Sequence, residues 1–178
     1  LHARDLSVKT EVQSVLRELQ EASGDWQVLV NNAGLYVPGP LLSEPDEAME
    51  RMMQLNLFAP YYLCKGLVPS LSGKSHIFNL CSVASRRVYP GKSSYSVTKF
   101  ALLALNDALR MELKEQGVRV TAVLPGPTWS ATWEGADLPN DRLLQAAEVA
   151  EAIWNAYALP QNAVLEELTI RPQLGDLD

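Results

Sequence analysis

The 178-residue chain has only two cysteines and two histidines. That is too few for a disulfide framework, and Cys64 and Cys81 stand at no metal-ligand spacing, so no metal is expected. Both lie in apolar segments and read as buried free thiols. No apolar run is long enough to cross a bilayer, and the first residues, Leu1 to Ser7, lack a signal-peptide pattern. These absences point to the cytoplasm. Positive charge is also scarce: 15 Lys and Arg against 21 Asp and Glu leave a net charge of -6. Nucleic acid and anionic membranes reward a basic patch, so neither is an expected partner. There is no internal repeat and no initiator methionine. The chain opens in what reads as the end of a strand, as a fragment of a longer protein would.

What is present is a composition 47% hydrophobic and 20% charged, enough for one sizeable core and a single domain over 1–178. Val8, Val12, Val15, Leu16 and Leu19 form a helical stripe that Ser7 can cap and Ser23-Gly24 can end. Trp26 to Val30 is a short apolar run closed by Asn31-Asn32-Ala33-Gly34, a buried strand feeding a loop. From Pro45 to about Leu71 apolar residues recur at helical spacing, with a kink or break expected at Pro60. A second strand spans Ile77 to Ser82. A third, Val118 to Leu124, stops at Pro125-Gly126-Pro127, and a last one covers Val164 to Ile170. Between them lie a helix from Ser93 to about Gln116-Gly117, a loop or lid over 128–142, and a helix from Ala147 to Ala158.

This alternation predicts an α/β fold, a doubly wound, Rossmann-like parallel sheet with right-handed crossovers. Ligands in such sheets bind beyond the carboxyl ends of the strands. The conspicuous residues cluster there: Asn31 to Gly34, Ser82, and Pro125-Gly126.

One helix begins at such an end with Tyr95 and Lys99, four residues apart. That spacing puts a phenol and an ammonium on one face. A nearby cation favours the phenolate, so Lys99 is expected to draw the Tyr95 pKa down toward the working range of an acid-base catalyst. Taken alone, the pair also suits one half-buried ring and one solvated charge.

With Ser82 thirteen residues before Tyr95 and Asn56 in the long helix, the sequence resembles the short-chain dehydrogenase/reductase family over nearly its whole length. The resemblance implies that Ser82, Tyr95, Lys99 and Asn56 are catalytic. Ser82 would hydrogen-bond a carbonyl oxygen, Tyr95 would deliver its proton, Lys99 would hold the nicotinamide ribose, and Asn56 would hold a relay water. It also implies cofactor contacts at Asn32, Ala33, Gly34, Pro125, Gly126 and Thr128, with Asp5 near the adenine. The cofactor would be NADP(H) or NAD(H), the former slightly favoured. Trp129 and Trp133 fall where the family varies its substrate loop, and either line a pocket or pack the lid. Arg86 and Arg87 either attract an anion or are solvated. The tail from Val164 through Gly175-Asp176 is similar to that of bacterial sepiapterin-reductase-like members, which points to a small ketone or aldehyde. Family members assemble as dimers or tetramers through the two long helices and the last strand, so a homodimer or homotetramer is expected.

The family's first strand and glycine-rich turn do not stand in the chain, so the resemblance implies two or three β-α units ahead of Leu1. An exposed apolar strand edge at residues 27–31 is expected in consequence. A non-catalytic binding or structural protein of the same fold is the alternative reading.

Overall fold

The computed structural model describes residues 3–22, 26–133, 135 and 137–177. Helix α1 (Lys9–Glu21) precedes β1 (Trp26–Asn31), and α2 (Ala48–Met53) and α3 (Ala59–Leu67) lead to β2 (Leu71–Leu80). Helix α4 (Ser93–Leu113), β3 (Arg119–Pro125), α5 (Ala146–Tyr157) and β4 (Glu167–Ile170) complete the order. The four strands form one parallel sheet in the order β1-β2-β3-β4.

Alternation along the strands assigns the two faces. Ile77 and Val120 pack with Cys64 of α3 and Leu113 of α4, while Ala122 and Leu124 pack with Leu102 and Leu103 of α4. On the other face Phe78, Val123 and Leu168 pack with Val149 and Ala156 of α5. Every connection runs toward the same edge of the sheet, yet α5 lies on the face opposite α3 and α4. The β3-α5-β4 crossover therefore has the opposite hand to the two before it, so the expectation of uniform right-handed crossovers fails. The register of apolar residues on α5, matched to Phe78 and Val123, decides the face.

Several boundaries differ from expectation. Ser7 does not cap α1; its N–H and hydroxyl both donate to Asp5 Oδ1, at 2.9 and 2.6 Å, and Val8 holds the cap position without a side-chain bond. The expected stop at Ser23-Gly24 lies outside the described residues. The long helix ends at Leu67, and β2 starts as early as Leu71, paired with Trp26. Pro60 does not break the helix. It sits in the first turn of α3, directly after a π turn at Gln54–Phe58 in which Ala59 N–H bonds to the Gln54 carbonyl. A proline has no N–H to return to the carbonyl four residues earlier, here that of Asn56, and the wider turn absorbs the mismatch.

Helix α1 packs on α3 through Val12, Ala59 and Leu63. Val28 and Val30, on the far face of β1, are 39% and 42% exposed, in line with the expected open strand. Cys64 and Cys81 are buried and free, with their thiols pushed up to about 11 and about 12 by burial. Among the described residues no helix is long and apolar enough to cross a membrane.

Candidate active site

The site assembles where β2 ends and α4 begins. Ser82 is the first residue of a tight turn, Val83–Ser85: its hydroxyl accepts from Ala84 N–H at 3.1 Å, and its own N–H donates to Ser85 Oγ at 3.1 Å. That box locks the Ser82 rotamer while leaving its hydroxyl proton free to donate, and the hydroxyl is near enough to Tyr95 to act on its pKa. Capping the strand end and facing the tyrosine are thus one arrangement. Tyr95 packs edge-on against Tyr36, centroids 5.1 Å apart at 70°, and joins Val83, Ala84 and Tyr89 in a small apolar cluster.

Lys99 lies one turn along, its Nζ 5.7 Å from the centre of the Tyr95 ring, as the helical spacing requires. It is 5% exposed, and Nζ donates to the Leu80 carbonyl at 2.6 Å. Burial lowers its pKa to about 8. The expectation that Lys99 draws the Tyr95 pKa down is not met: burial raises it to about 12, only partly opposed by the Ser82 hydrogen bond. Desolvation of the phenolate wins because the ammonium is turned to a backbone carbonyl rather than to the phenol oxygen.

Asn56 is fully buried in the π turn. Its Oδ1 accepts from Leu35 N–H at 2.7 Å, and its Nδ2 donates to the Leu35 carbonyl at 2.9 Å and to Thr98 Oγ1 at 3.0 Å. Both amide protons are therefore used. The side chain pins the loop after β1, and a water would have to meet the remaining lone pair of Oδ1 or the Asn56 carbonyl, which Pro60 leaves without its helical partner.

Asn32, Ala33 and Gly34 are exposed in the loop that Asn56 holds. A Cβ on Gly34 would lie 3.4 Å from Asn56 Oδ1 and 3.7 Å from Lys99 Nζ, so glycine keeps a polar recess open. An ammonium carries three donors, and one of them meets a protein acceptor here, the Leu80 carbonyl. A ribose diol suits this donor set and this opening.

A sequence model of the short chain dehydrogenase family matches residues 2–139. The chain belongs to that family.

As a short-chain dehydrogenase it is an NAD(P)-dependent oxidoreductase. It is 30% identical over 170 residues to an uncharacterized oxidoreductase of Staphylococcus saprophyticus, spanning 94% of this chain and 73% of that one. It is 30% identical to the sepiapterin reductase of Chlorobaculum tepidum over 97% of this chain and 72% of the relative. Among solved structures, an alcohol dehydrogenase of the archaeon Thermococcus sibiricus, complexed with 5-hydroxy-NADP, superposes with TM-score 0.88 at 27% identity, covering 99% and 76% of the two chains. A short chain dehydrogenase of Burkholderia cenocepacia in complex with NADP gives TM-score 0.78 at 30% identity, covering 90% and 67%.

The remaining candidates lie after β2, after β3 and ahead of α1. Pro125 ends β3, and Gly126 N–H donates to the Ile170 carbonyl at 2.8 Å. Thr128 Oγ1 is turned back onto the Gly126 carbonyl at 3.0 Å. Trp129 is 51% exposed and anchored by its N–H to Leu144, at 2.7 Å, whereas Trp133 is partly buried in a short turn. Among the described residues neither indole stacks on Tyr95, whose ring partner is Tyr36. Asp5 is exposed beside Leu6, with one oxygen engaged by Ser7 and its pKa lowered by those bonds. Arg86 pairs with Glu167, and Arg87 lies over the Tyr89 ring at 4.3 Å.

Three residues of this site were not singled out in the sequence. Tyr36 follows the Asn-Asn-Ala-Gly segment and walls Tyr95. Thr98, inside the Tyr-Lys spacing, donates to the Tyr95 carbonyl at 2.8 Å and accepts from Asn56, joining the π turn to α4. Tyr89 packs beside Tyr95. Pro60, four residues after Asn56, was the available signal for the π turn; Thr98 had none beyond a polar residue on a helix face otherwise apolar.

Proposed function

We propose that this dehydrogenase reduces a small ketone or aldehyde to the alcohol, and catalyses the reverse oxidation, with NADP(H) preferred over NAD(H). The observation that carries the reading is the buried Lys99 ammonium, with Nζ 5.7 Å from the centre of the Tyr95 ring, at the strand end where Ser82 opens its turn. The NADP-type ligands of the Thermococcus and Burkholderia proteins support the cofactor preference. The sepiapterin reductase relative supports a carbonyl substrate.

The nicotinamide supplies or receives the hydride when bound. In the reduction, negative charge grows on the substrate oxygen. A Ser82 hydroxyl held by its turn donates to that oxygen with little reorganisation, and Tyr95 transfers its phenol proton to it. A phenol raised to about 12 is fully protonated at neutral pH and so stands ready as the acid. Lys99 holds the cofactor ribose and, once beside it, stabilises the phenolate left behind. Asn32, Ala33, Gly34, Pro125, Gly126 and Thr128 line the cofactor side, Asp5 lies toward the adenine, and Trp129 and Trp133 border the substrate. We place this single-domain enzyme in the cytoplasm as a homodimer or homotetramer.

The test is a panel of small ketones and aldehydes with NADPH and NADH, run on wild type and Tyr95→Phe. Wild type should oxidise NADPH with at least one carbonyl compound, and the variant should lose about 10²- to 10⁴-fold in turnover with unchanged melting temperature. Retained turnover in the variant would overturn the assignment of Tyr95.

A further inference from the structure

The C-terminal segment folds back onto the mouth of the site. Gly175, with φ +83, adopts the left-handed conformation that glycine tolerates, and its N–H closes a turn onto the Pro172 carbonyl at 2.9 Å. The turn returns Asp176 to Arg171, whose Nε donates to Asp176 Oδ1 and Oδ2 at 3.1 and 3.3 Å. The Tyr89 hydroxyl donates to Asp176 Oδ2, and Arg142, from the lid, donates to the Asp176 carbonyl at 3.4 Å. The Asp176 side chain is 13% exposed and that of Arg171 42%, so the carboxylate is largely covered while its pair with Arg171 stays open to solvent.

Two packing facts tie this cluster to the chemistry. Tyr89 is 4% exposed and packs with Val83, Ala84 and Tyr95. A Cβ on Gly126 would come within 3.2 Å of Asp176 Oδ1, 3.2 Å of Arg171 Cγ and 3.3 Å of Pro172 Cδ. The tail thus presses on the loop after β3 and, through Tyr89, on the segment that leads into Tyr95.

We propose that Asp176 is a positioning residue for the carbonyl side of the site: with Tyr89 and Arg171 it clamps the C-terminal turn between the Gly126 loop and the Tyr89 segment, fixing the wall that orients the substrate at Ser82 and Tyr95. The proposal rests on the carbonyl-reductase reading above. The clamp touches neither Lys99 nor the loop that Asn56 holds. Its loss should therefore change mainly how the carbonyl compound docks, loosen the Gly126 side of the cofactor cleft to a lesser degree, and leave the Lys99 side as it is.

Asp176→Ala, Asp176→Asn, Tyr89→Phe and the Tyr89→Phe/Asp176→Ala double variant test this in the full chain. Asp176→Ala should raise KM for the carbonyl substrate about tenfold and the cofactor KM by less, with kcat within about twofold. Tyr89→Phe should move the same way by less, and Asp176→Asn, which keeps one acceptor, should lie between. The double variant should be no worse than Asp176→Ala, because both changes open one clamp. Amide exchange should quicken in residues 86–92 and 126–129 but not in β2. A carbonyl KM that stays put, a fall in kcat alone, or additive effects would overturn the proposal. If wild type reduces nothing on the panel, the function reading fails, and the exchange data alone decide the clamp: unchanged exchange in both segments sinks it.

Discussion

His76 and Lys99 are ionisable groups buried along β2, one in the middle of the strand and one against the carbonyl of its last residue. Burial lowers the pKa of both, His76 to about 3 and Lys99 to about 8. The cause is shared, but the surroundings are not. Lys99 Nζ meets the Leu80 carbonyl, an acceptor that favours the charged form, and the group stays cationic at neutral pH. His76 feels the repulsion of Arg119, and its ring is stacked on Phe78 at 3.9 Å. Thr121 Oγ1 donates to the Leu165 carbonyl, so it must accept from His76 Nε2, 2.7 Å away, which fixes a neutral tautomer. The lysine at the carboxyl end of the strand thus keeps its charge where the chemistry is, whereas the mid-strand histidine, beside the buried Arg119 guanidinium, serves as a neutral packing unit.

Removing the lysine charge is the sharpest way to separate the two groups. Lys99→Met should lower turnover by about 10²- to 10³-fold, the range seen when a preorganised electrostatic group is lost. It should not weaken the fold at pH 7. The native Lys99 pKa lies below that of the unfolded chain, so the unfolded state binds more protons between about pH 8 and 10.5. Wild type therefore carries a handicap of about 3 kcal/mol at neutral pH that fades as pH rises through this window. Melting temperatures across pH 7 to 11 should show the variant ahead at the low end and the gap closing at the high end; a variant less stable at pH 7 would contradict this.

Replacing His76 should instead change the pH dependence of stability without loss of activity. His76 refuses a proton that the unfolded chain accepts below about pH 6.5, so native stability falls as pH drops toward 3. The full difference is about 4 to 5 kcal/mol. In His76→Leu the acid limb of a denaturant-midpoint profile should be flatter by that amount, with turnover at pH 7 unchanged. Equal acid limbs would mean that His76 takes up its proton in the folded state.

The smallest effect is expected at the joint between the π turn and α4. Thr98→Val keeps the shape but leaves an Asn56 amide proton without its acceptor and the Tyr95 carbonyl without its donor, a cost of about 1 to 3 kcal/mol. The cofactor KM should rise severalfold, because Asn56 positions the Gly34 loop, and Thr98→Ser should restore both stability and KM. If Val and Ser behave alike, the hydroxyl is not the link.

Elsewhere the core holds a feature of the same kind with no bearing on charge. Asn31 Nδ2 donates to Asn79 Oδ1 at 2.8 Å, and Asn79 Nδ2 donates to Asn106 Oδ1 at 3.0 Å, a buried polar chain from β1 to α4. In the sequence Asn31 stood out for its loop, while Asn79 and Asn106 sat inside apolar runs without a signal. Their partners are 48 and 27 residues away, beyond any local pattern.

The sequence by itself determined the alternation of strands and helices, through apolar runs closed by glycine and proline, and the placing of Tyr95 and Lys99 on one helix face, through their spacing; Ser82 and Asn56 became candidates through the resemblance to the family. Periodicity and short-range spacing are local, so they survive in one dimension. Only the tertiary structure decided that α5 crosses to the opposite face, that both Asn56 amide protons are taken by Leu35 and Thr98, that Asp176 returns to Tyr89, and that Tyr95 and Lys99 shift in the directions they do. Each of these depends on which groups are brought together and how far water is excluded. Desolvation and hydrogen-bond saturation arise from three-dimensional packing, which no spacing along the chain encodes.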